Sequence, residues 1–283
     1  MKPERGLLEV HLAVLLQGLA GLFARFVEAP ALVLVVGRTV FAAAIIFLIA
    51  VITKNSLRTH NRRDQLLLAV SGALLALHWL SFFISIKVSS VAIGLLTYAS
   101  FPLFVTFLEP IFFAERLRLP DVVFAVAVAL GLALVVPRFD LGDRTTVGVL
   151  WGILSGFTFA VLSLFNRGFV RRYQPMTVVF HQTLFAALVL LPFTYRLEAV
   201  PSGRDILLLV VLGVVCTALA HGMFIRALRV IKASLAGVVA AMEPVYGISL
   251  AVVLLGEVPT SRTLMGGSII LATTVLATRF RQR

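Results

Sequence analysis

The sequence predicts an all-α integral membrane protein of ten transmembrane helices arranged as two inverted five-helix repeats. Three observations carry this reading. Of 283 residues, 60% are hydrophobic and 13% charged, against about 45–50% and about 25% in a soluble domain. The apolar residues come in long runs along the whole chain, too many for one buried core to absorb. Finally, the pattern of the first half recurs in the second.

The runs lie at about 7–26, 29–53, 65–86, 90–113, 120–137, 147–166, 176–195, 206–226, 233–255 and 260–279. Each approaches the roughly 20 residues that a helix needs to cross about 30 Å of hydrocarbon. The first follows a short basic lead, Lys2 and Arg5, but outruns a secretory signal and shows no convincing small-x-small cleavage site before the next span, so it reads as a retained helix. The second carries Arg38 about ten residues in, and the third His78, Trp79 and Phe82. The fourth holds Tyr98, Ser100 and Pro102, with Glu109 near its end; the fifth is apolar. The sixth bears Gly148, Gly152 and Gly156 at four-residue spacing, which lets another helix approach closely. His181 lies in the seventh, His221 in the eighth and Glu243-Pro244 in the middle of the ninth; the tenth closes the second set of five. Connections are short, so function is expected inside the membrane.

A net charge of +12 would suggest nucleic acid in a soluble protein. Here the basic residues fall between spans. With a cytoplasmic N-terminus, 17 Lys and Arg lie on that side and 7 on the other. This bias favours both termini inside and explains the basic clusters as topology signals, excluding a nucleic-acid partner.

A shift of about 142 residues lays Leu22-Phe23-Ala24-Arg25 on Leu164-Phe165-Asn166-Arg167 and Pro102 and Glu115 on Pro244 and Glu257; His78 falls on His221 at 143. The domains are therefore 1–142 and 143–283, one repeat each. Five is odd, so two joined copies enter the membrane from opposite sides. Inverted repeats of this kind are typical of secondary transporters, with the site near the midplane and alternating access by rocking of the halves.

On these residues the chain resembles the EamA family of the drug/metabolite transporter superfamily: Ser100-Phe101-Pro102 with Ala114-Glu115, Glu243-Pro244 with Gly256-Glu257, and Arg38 in the second span. Within it, the chain is most similar to bacterial inner-membrane exporters of aromatic and other neutral amino acids. The resemblance implies a cavity lined by spans one, three, four, six, eight and nine, with five and ten at the periphery or in a homodimer contact. The alternative it implies is a multidrug or other metabolite exporter of the same fold.

Ionisable and polar groups inside spans are costly unless they face a cavity or a partner, so each is a candidate. Predicted substrate contacts are His78, Tyr98, Ser100, Phe82, Gln17, Glu243 and His221; Phe82, four residues after His78, shares its helix face. Glu243 suits a proton carrier or a hook for an ammonium group. Arg38 suits either recognition of a carboxylate or a structural role, as an ion pair or helix-end brace with Glu109 or another span. Pro102 and Pro244 are predicted hinges, since matched kinks offer matched gates. His11 and His181 read as packing residues. No metal site is expected, because the histidines lack Cys, Asp or Glu at ligand spacing. The sequence lacks a G-x-x-x-x-G-K-[ST] loop, an H-E-x-x-H motif and a G-x-S-x-G elbow, so a non-enzymatic carrier without cofactor is expected rather than an ATP-driven pump. An intramembrane lipid enzyme and a channel are the rival classes.

Overall fold

A computed structural model describes residues 3–113, 117, 119–135, 140–169, 172–195, 201–227 and 239–280. Among them every regular element is helical: α1 (Pro3–Phe26), α2 (Ala31–Ile52), α3 (Arg62–Val88), α4 (Val91–Tyr98), α5 (Phe101–Phe113), α6 (Leu119–Val135), α7 (Arg144–Phe169), α8 (Pro175–Thr194), α9 (Gly203–Gly213), α10 (Ala220–Ala227), α11 (Glu243–Leu255) and α12 (Ser261–Phe280). A π-helix, Val214–Leu219, joins α9 to α10. Seven helical stretches are long and apolar enough to cross a membrane, with α4–α5 and α9–α10 each counted as one; Leu119–Val135, Glu243–Leu255 and Ser261–Ala277, within α6, α11 and α12, are apolar but shorter.

Local chemistry sets the helix ends. The Asn61 side chain accepts from the Asp64 amide at 2.8 Å at the start of α3, and Ser90 caps α4 through the Ile93 amide at 3.2 Å. Ser202 and Asp205 form a reciprocal capping box on α9. At the end of α11, Gly256 takes a left-handed φ of 67°, a conformation that needs no Cβ.

The two halves pack in a matched scheme. The first helix of each half leans on the other half: α1 lies against α10 and α11, and α7 against α3, α4 and α5. Helix α2 meets α8 and α9, α8 meets α2 and α3, and α6 meets α12. The glycines of α7 permit its close approach, as their spacing implied. A Cβ on Gly152 would collide with Thr97 and one on Gly148 with Ser89, while one on Gly156 would lie 3.1 Å from the Tyr98 carbonyl.

The fourth span is broken. Helix α4 stops at Tyr98, Ala99-Ser100 form a turn, and α5 restarts at Phe101-Pro102. In the second half Ala241-Met242 form the matching turn before Glu243-Pro244. Proline fits a restarting helix because its missing N–H has no carbonyl to bond there. Both prolines, expected as kinks midway along continuous spans, thus stand second in a new half-helix.

One end of the bundle is sealed. Arg25 Nε pairs with Glu257 Oε1 at 2.7 Å, and an Arg25 terminal nitrogen donates to the Ser89 carbonyl at 2.6 Å. Glu257 Oε2 accepts from the Val91 amide at 2.9 Å, and Lys87 Nζ donates to the Val27 carbonyl at 2.9 Å. Beneath these ties lies the main apolar core, including Leu22, Phe23, Phe83, Ile86, Val91 and Leu95, all buried. At the other end, where α1 starts, Asp64 accepts from Tyr173 at 2.7 Å and from Arg172 at 2.8 Å.

Candidate functional site

The two broken spans meet a cavity of about 850 Å³. Residues on both sides of each turn line it: Tyr98, Ala99, Phe101 and Pro102 in the first half, and Ala240, Ala241, Glu243 and Pro244 in the second. From there the lining extends to Pro175, Phe224 and Ala277, toward the end where α1 starts.

One wall is aromatic. The Tyr98 ring stacks on Phe101 with centroids 5.7 Å apart, and Phe159 stands edge-on to both, 5.3 and 5.0 Å away. His78 lies 5.3 Å from Tyr98 and 5.0 Å from Phe159, with Phe82 behind it at 6.4 Å. Its Nδ1 is 3.0 Å from the Ser155 carbonyl on α7. The Ser155 hydroxyl lies 2.9 Å from the same nitrogen, so Ser155 engages Nδ1 through both of its oxygens and Nε2 makes no hydrogen bond among the described residues.

A second part of the lining is charged. Arg38 is 5% exposed; its Nε donates to Thr217 Oγ1 at 2.8 Å, and its guanidinium carbon lies 3.9 Å from the Trp79 ring centroid. Thr217 sits in the π-helix and donates its own proton to the Leu212 carbonyl five residues back at 2.9 Å. π-Bulges of this type recur at functional sites. Gln17, His221 and Glu243 complete the polar lining.

The structure therefore brings together His78, Phe82, Tyr98, Gln17, Glu243, His221, Arg38, Pro102 and Pro244 on one cavity. Ser100 is apart from them. It is fully buried and donates to the Thr97 carbonyl at 2.6 Å, because a short hydroxyl reaches its own turn more easily than a ligand. The ion pair expected between Arg38 and Glu109 is also absent: Glu109 pairs with Arg167 at 3.1 Å, while Arg38 turns to Trp79 and Thr217. His11 bonds the Tyr246 hydroxyl at 2.6 Å and His181 the Thr177 carbonyl at 2.9 Å, both off the lining. Glu115 lies outside the described residues.

The lining is also wider than expected. Arg38 brings in the second span, Gln182 and Thr183 the seventh, and Leu271 and Thr274 the tenth, which was expected at the periphery. Gln182 donates to Asn166 Oδ1 at 2.6 Å and to Ser71 Oγ at 3.2 Å. The rule that singles out Gln17, a polar group within an apolar run, applies equally to Gln182. Thr217 gives no such signal, since a threonine satisfies itself on its own helix.

The model of the EamA-like transporter family matches this chain twice, over residues 4–136 and 146–279. The chain belongs to that family. It is 27% identical to an S-adenosylmethionine uptake transporter of Rickettsia conorii over 78% of this chain and 74% of the relative. An uncharacterized inner membrane transporter, YicL, of Salmonella typhimurium is 25% identical over 96% of this chain and 95% of its own length. An uncharacterized transporter of Archaeoglobus fulgidus is 26% identical over 70% and 71%. A solved crystal structure superposes on 100% of this chain and 99% of its own with a TM-score of 0.70 at 21% identity, a likeness of fold. This EamA chain is thus a multi-pass membrane transporter with an internal repeat.

Proposed function

We propose that this EamA transporter is a ten-span inner-membrane carrier, with both termini cytoplasmic, that exports small amphiphilic metabolites by alternating access. Aromatic and other neutral amino acids are the substrates it fits best. One observation carries the reading: the cavity at the two matched helix breaks combines an aromatic cluster with charged side chains, the two kinds of surface an amphiphile presents. The inverted arrangement of residues 1–142 and 143–283 supports rocking about the cavity. Pro102 and Pro244 then serve as the hinges, and His78, Tyr98, Phe82 and Gln17 as contacts. The fifth and tenth spans pair with each other inside one chain through α6 and α12, which leaves their outer faces for lipid or a second copy.

A second reading draws on the Rickettsia relative, an S-adenosylmethionine uptake transporter by name. S-Adenosylmethionine carries the same amino-acid head with an aromatic base, and a cavity of about 850 Å³ is of the size that accepts drug-sized ligands. Uptake of labelled phenylalanine, methionine, threonine and S-adenosylmethionine into liposomes containing the purified protein tests both. Saturable uptake competed by unlabelled L-phenylalanine supports the amino-acid carrier, and its response to an imposed pH gradient decides coupling. Competition by S-adenosylmethionine alone supports the second reading, and uptake of neither moves the assignment to another metabolite or drug.

A further inference from the structure

We propose that Arg38 and Glu243 form a two-point receptor for a zwitterion, Arg38 taking the carboxylate and Glu243 the ammonium, with Thr217 as the positioning residue that aims Arg38. This deepens the amino-acid reading above and rests on it.

Hydrogen bonds that are not made point to the receptor. Among the described residues, every side-chain nitrogen and oxygen sealed from solvent has a partner. Arg38 is only 5% exposed, yet of its three nitrogens Nε is the one bonded, to Thr217. The two terminal nitrogens meet no hydrogen-bond acceptor among the described residues. They therefore open onto the cavity that Arg38 lines. Glu243 lines the same cavity, and among the described residues no hydrogen bond or ion pair engages its carboxylate. The two charges lie within electrostatic reach of each other but do not touch, since no ion pair joins them.

Both are held in place from behind. Trp79 lies under the flat face of the guanidinium and Thr217 fixes its Nε edge, which leaves the edge with two parallel donors, the geometry that grips a carboxylate. Thr217 stands where it does because the π-turn lets its hydroxyl reach Leu212 while its oxygen accepts from Arg38. Glu243 is fixed at the start of α11, whose backbone is in close approach to Gly18 of α1. An α-amino acid carries its ammonium and carboxylate groups on one carbon, so one molecule can satisfy both groups while its side chain lies on Tyr98, Phe101 and Phe159. Desolvated charges of this kind are costly to retain without a ligand role.

The test is competition of labelled L-phenylalanine uptake by unlabelled phenethylamine, which lacks the carboxylate, and 3-phenylpropionate, which lacks the amine. In the wild type each should compete about tenfold to a hundredfold more weakly than L-phenylalanine, the worth of a hydrogen bond to a charged group. Arg38→Lys and Thr217→Val should erase the discrimination against phenethylamine and keep that against 3-phenylpropionate. Glu243→Gln should do the reverse, and Thr217→Ser should behave as wild type. The same series read as ligand-induced thermal stabilisation in detergent separates the two proposals. Uptake of L-phenylalanine with discrimination unchanged in all variants overturns the two-point receptor and leaves the carrier reading intact. Head-group-dependent stabilisation without uptake overturns the carrier reading and keeps the receptor; neither signal overturns both.

Discussion

At His78 one ring does two jobs that a substitution can separate. Nδ1 is tied to Ser155 on α7, and the ring face packs on Tyr98 and Phe159. The Ser155 carbonyl also accepts from Thr158 at 3.0 Å, but the buried Ser155 hydroxyl, 2.9 Å from Nδ1, loses its partner with the histidine. His78→Phe should therefore cost about 1–3 kcal/mol of stability, while the half-saturation concentration for uptake rises several-fold because Nε2 is gone. An unchanged half-saturation concentration beside that fall in stability would make the histidine structural. Tyr173 offers a second test, in the connection between α7 and α8. Burial and its bond to Asp64 push the phenol above its ordinary value near 10. The folded protein thus holds that proton more tightly than the unfolded chain does. Its contribution is complete below about pH 10 and fades as pH climbs through the raised value. Tyr173→Phe should be less stable at neutral pH and should lack that alkaline decline in a melting series. At this scale the sequence is partly legible. A histidine or glutamate within an apolar run is conspicuous because hydrocarbon penalises it, which is what marks His78 and Glu243. The choice of Ser100 between cavity and backbone is a rotamer, and the pairing of Arg38 with Thr217 spans 179 positions, so neither leaves a trace in local sequence.

Between elements, close helix contact rests on specific glycines and can be tested with a built-in control. The approach of α7 to α4 leaves no room for a methyl at position 152, where Thr97 occupies the space. Gly152→Ala should destabilise by about 1–3 kcal/mol, the usual penalty for overpacking. At Gly168, near the end of the same helix, a methyl would meet nothing within 4 Å. Gly168→Ala should be neutral or stabilising by up to about 1 kcal/mol through helix propensity. Equal melting temperatures for the two variants would remove the packing explanation. The four-residue spacing of Gly148, Gly152 and Gly156 makes this contact legible in advance, since it needs only the helix period. The breaks at residues 99–100 and 241–242 are legible only as prolines. Proline marks where a helix bends, and whether it bends or stops depends on what packs beside it, here the α7 backbone at Gly156 and the α1 backbone at Gly18.

Across the whole molecule, the cavity reaches toward one end and ion pairs and apolar packing close the other, so any state open at that other end must undo the contact of Arg25 with Glu257. The pair is partly exposed, with side chains 27% and 24% accessible, and such pairs contribute about 0.2–1 kcal/mol. Glu257 also receives the Val91 amide, so its loss loosens the start of α4 together with α1. Glu257→Gln should therefore shift the conformational balance by up to about fivefold rather than lock it open, as about 1 kcal/mol allows. Leu95 reports the shift. It is fully buried in the core, lies one helical turn from Tyr98 toward the sealed end, and touches the α11 backbone at Gly247. In a chain with Cys216→Ala, which removes the single native cysteine, Leu95→Cys should react slowly with a membrane-impermeant thiol reagent supplied from the sealed end. Adding Glu257→Gln should speed the reaction several-fold, and saturating substrate should change the rate again if transport cycles through the opening. Labelling that is equally slow with and without Glu257→Gln would mean that the apolar layer of Leu22, Phe23, Phe83 and Ile86 alone holds the seal, because removing the ion pair would then have released nothing.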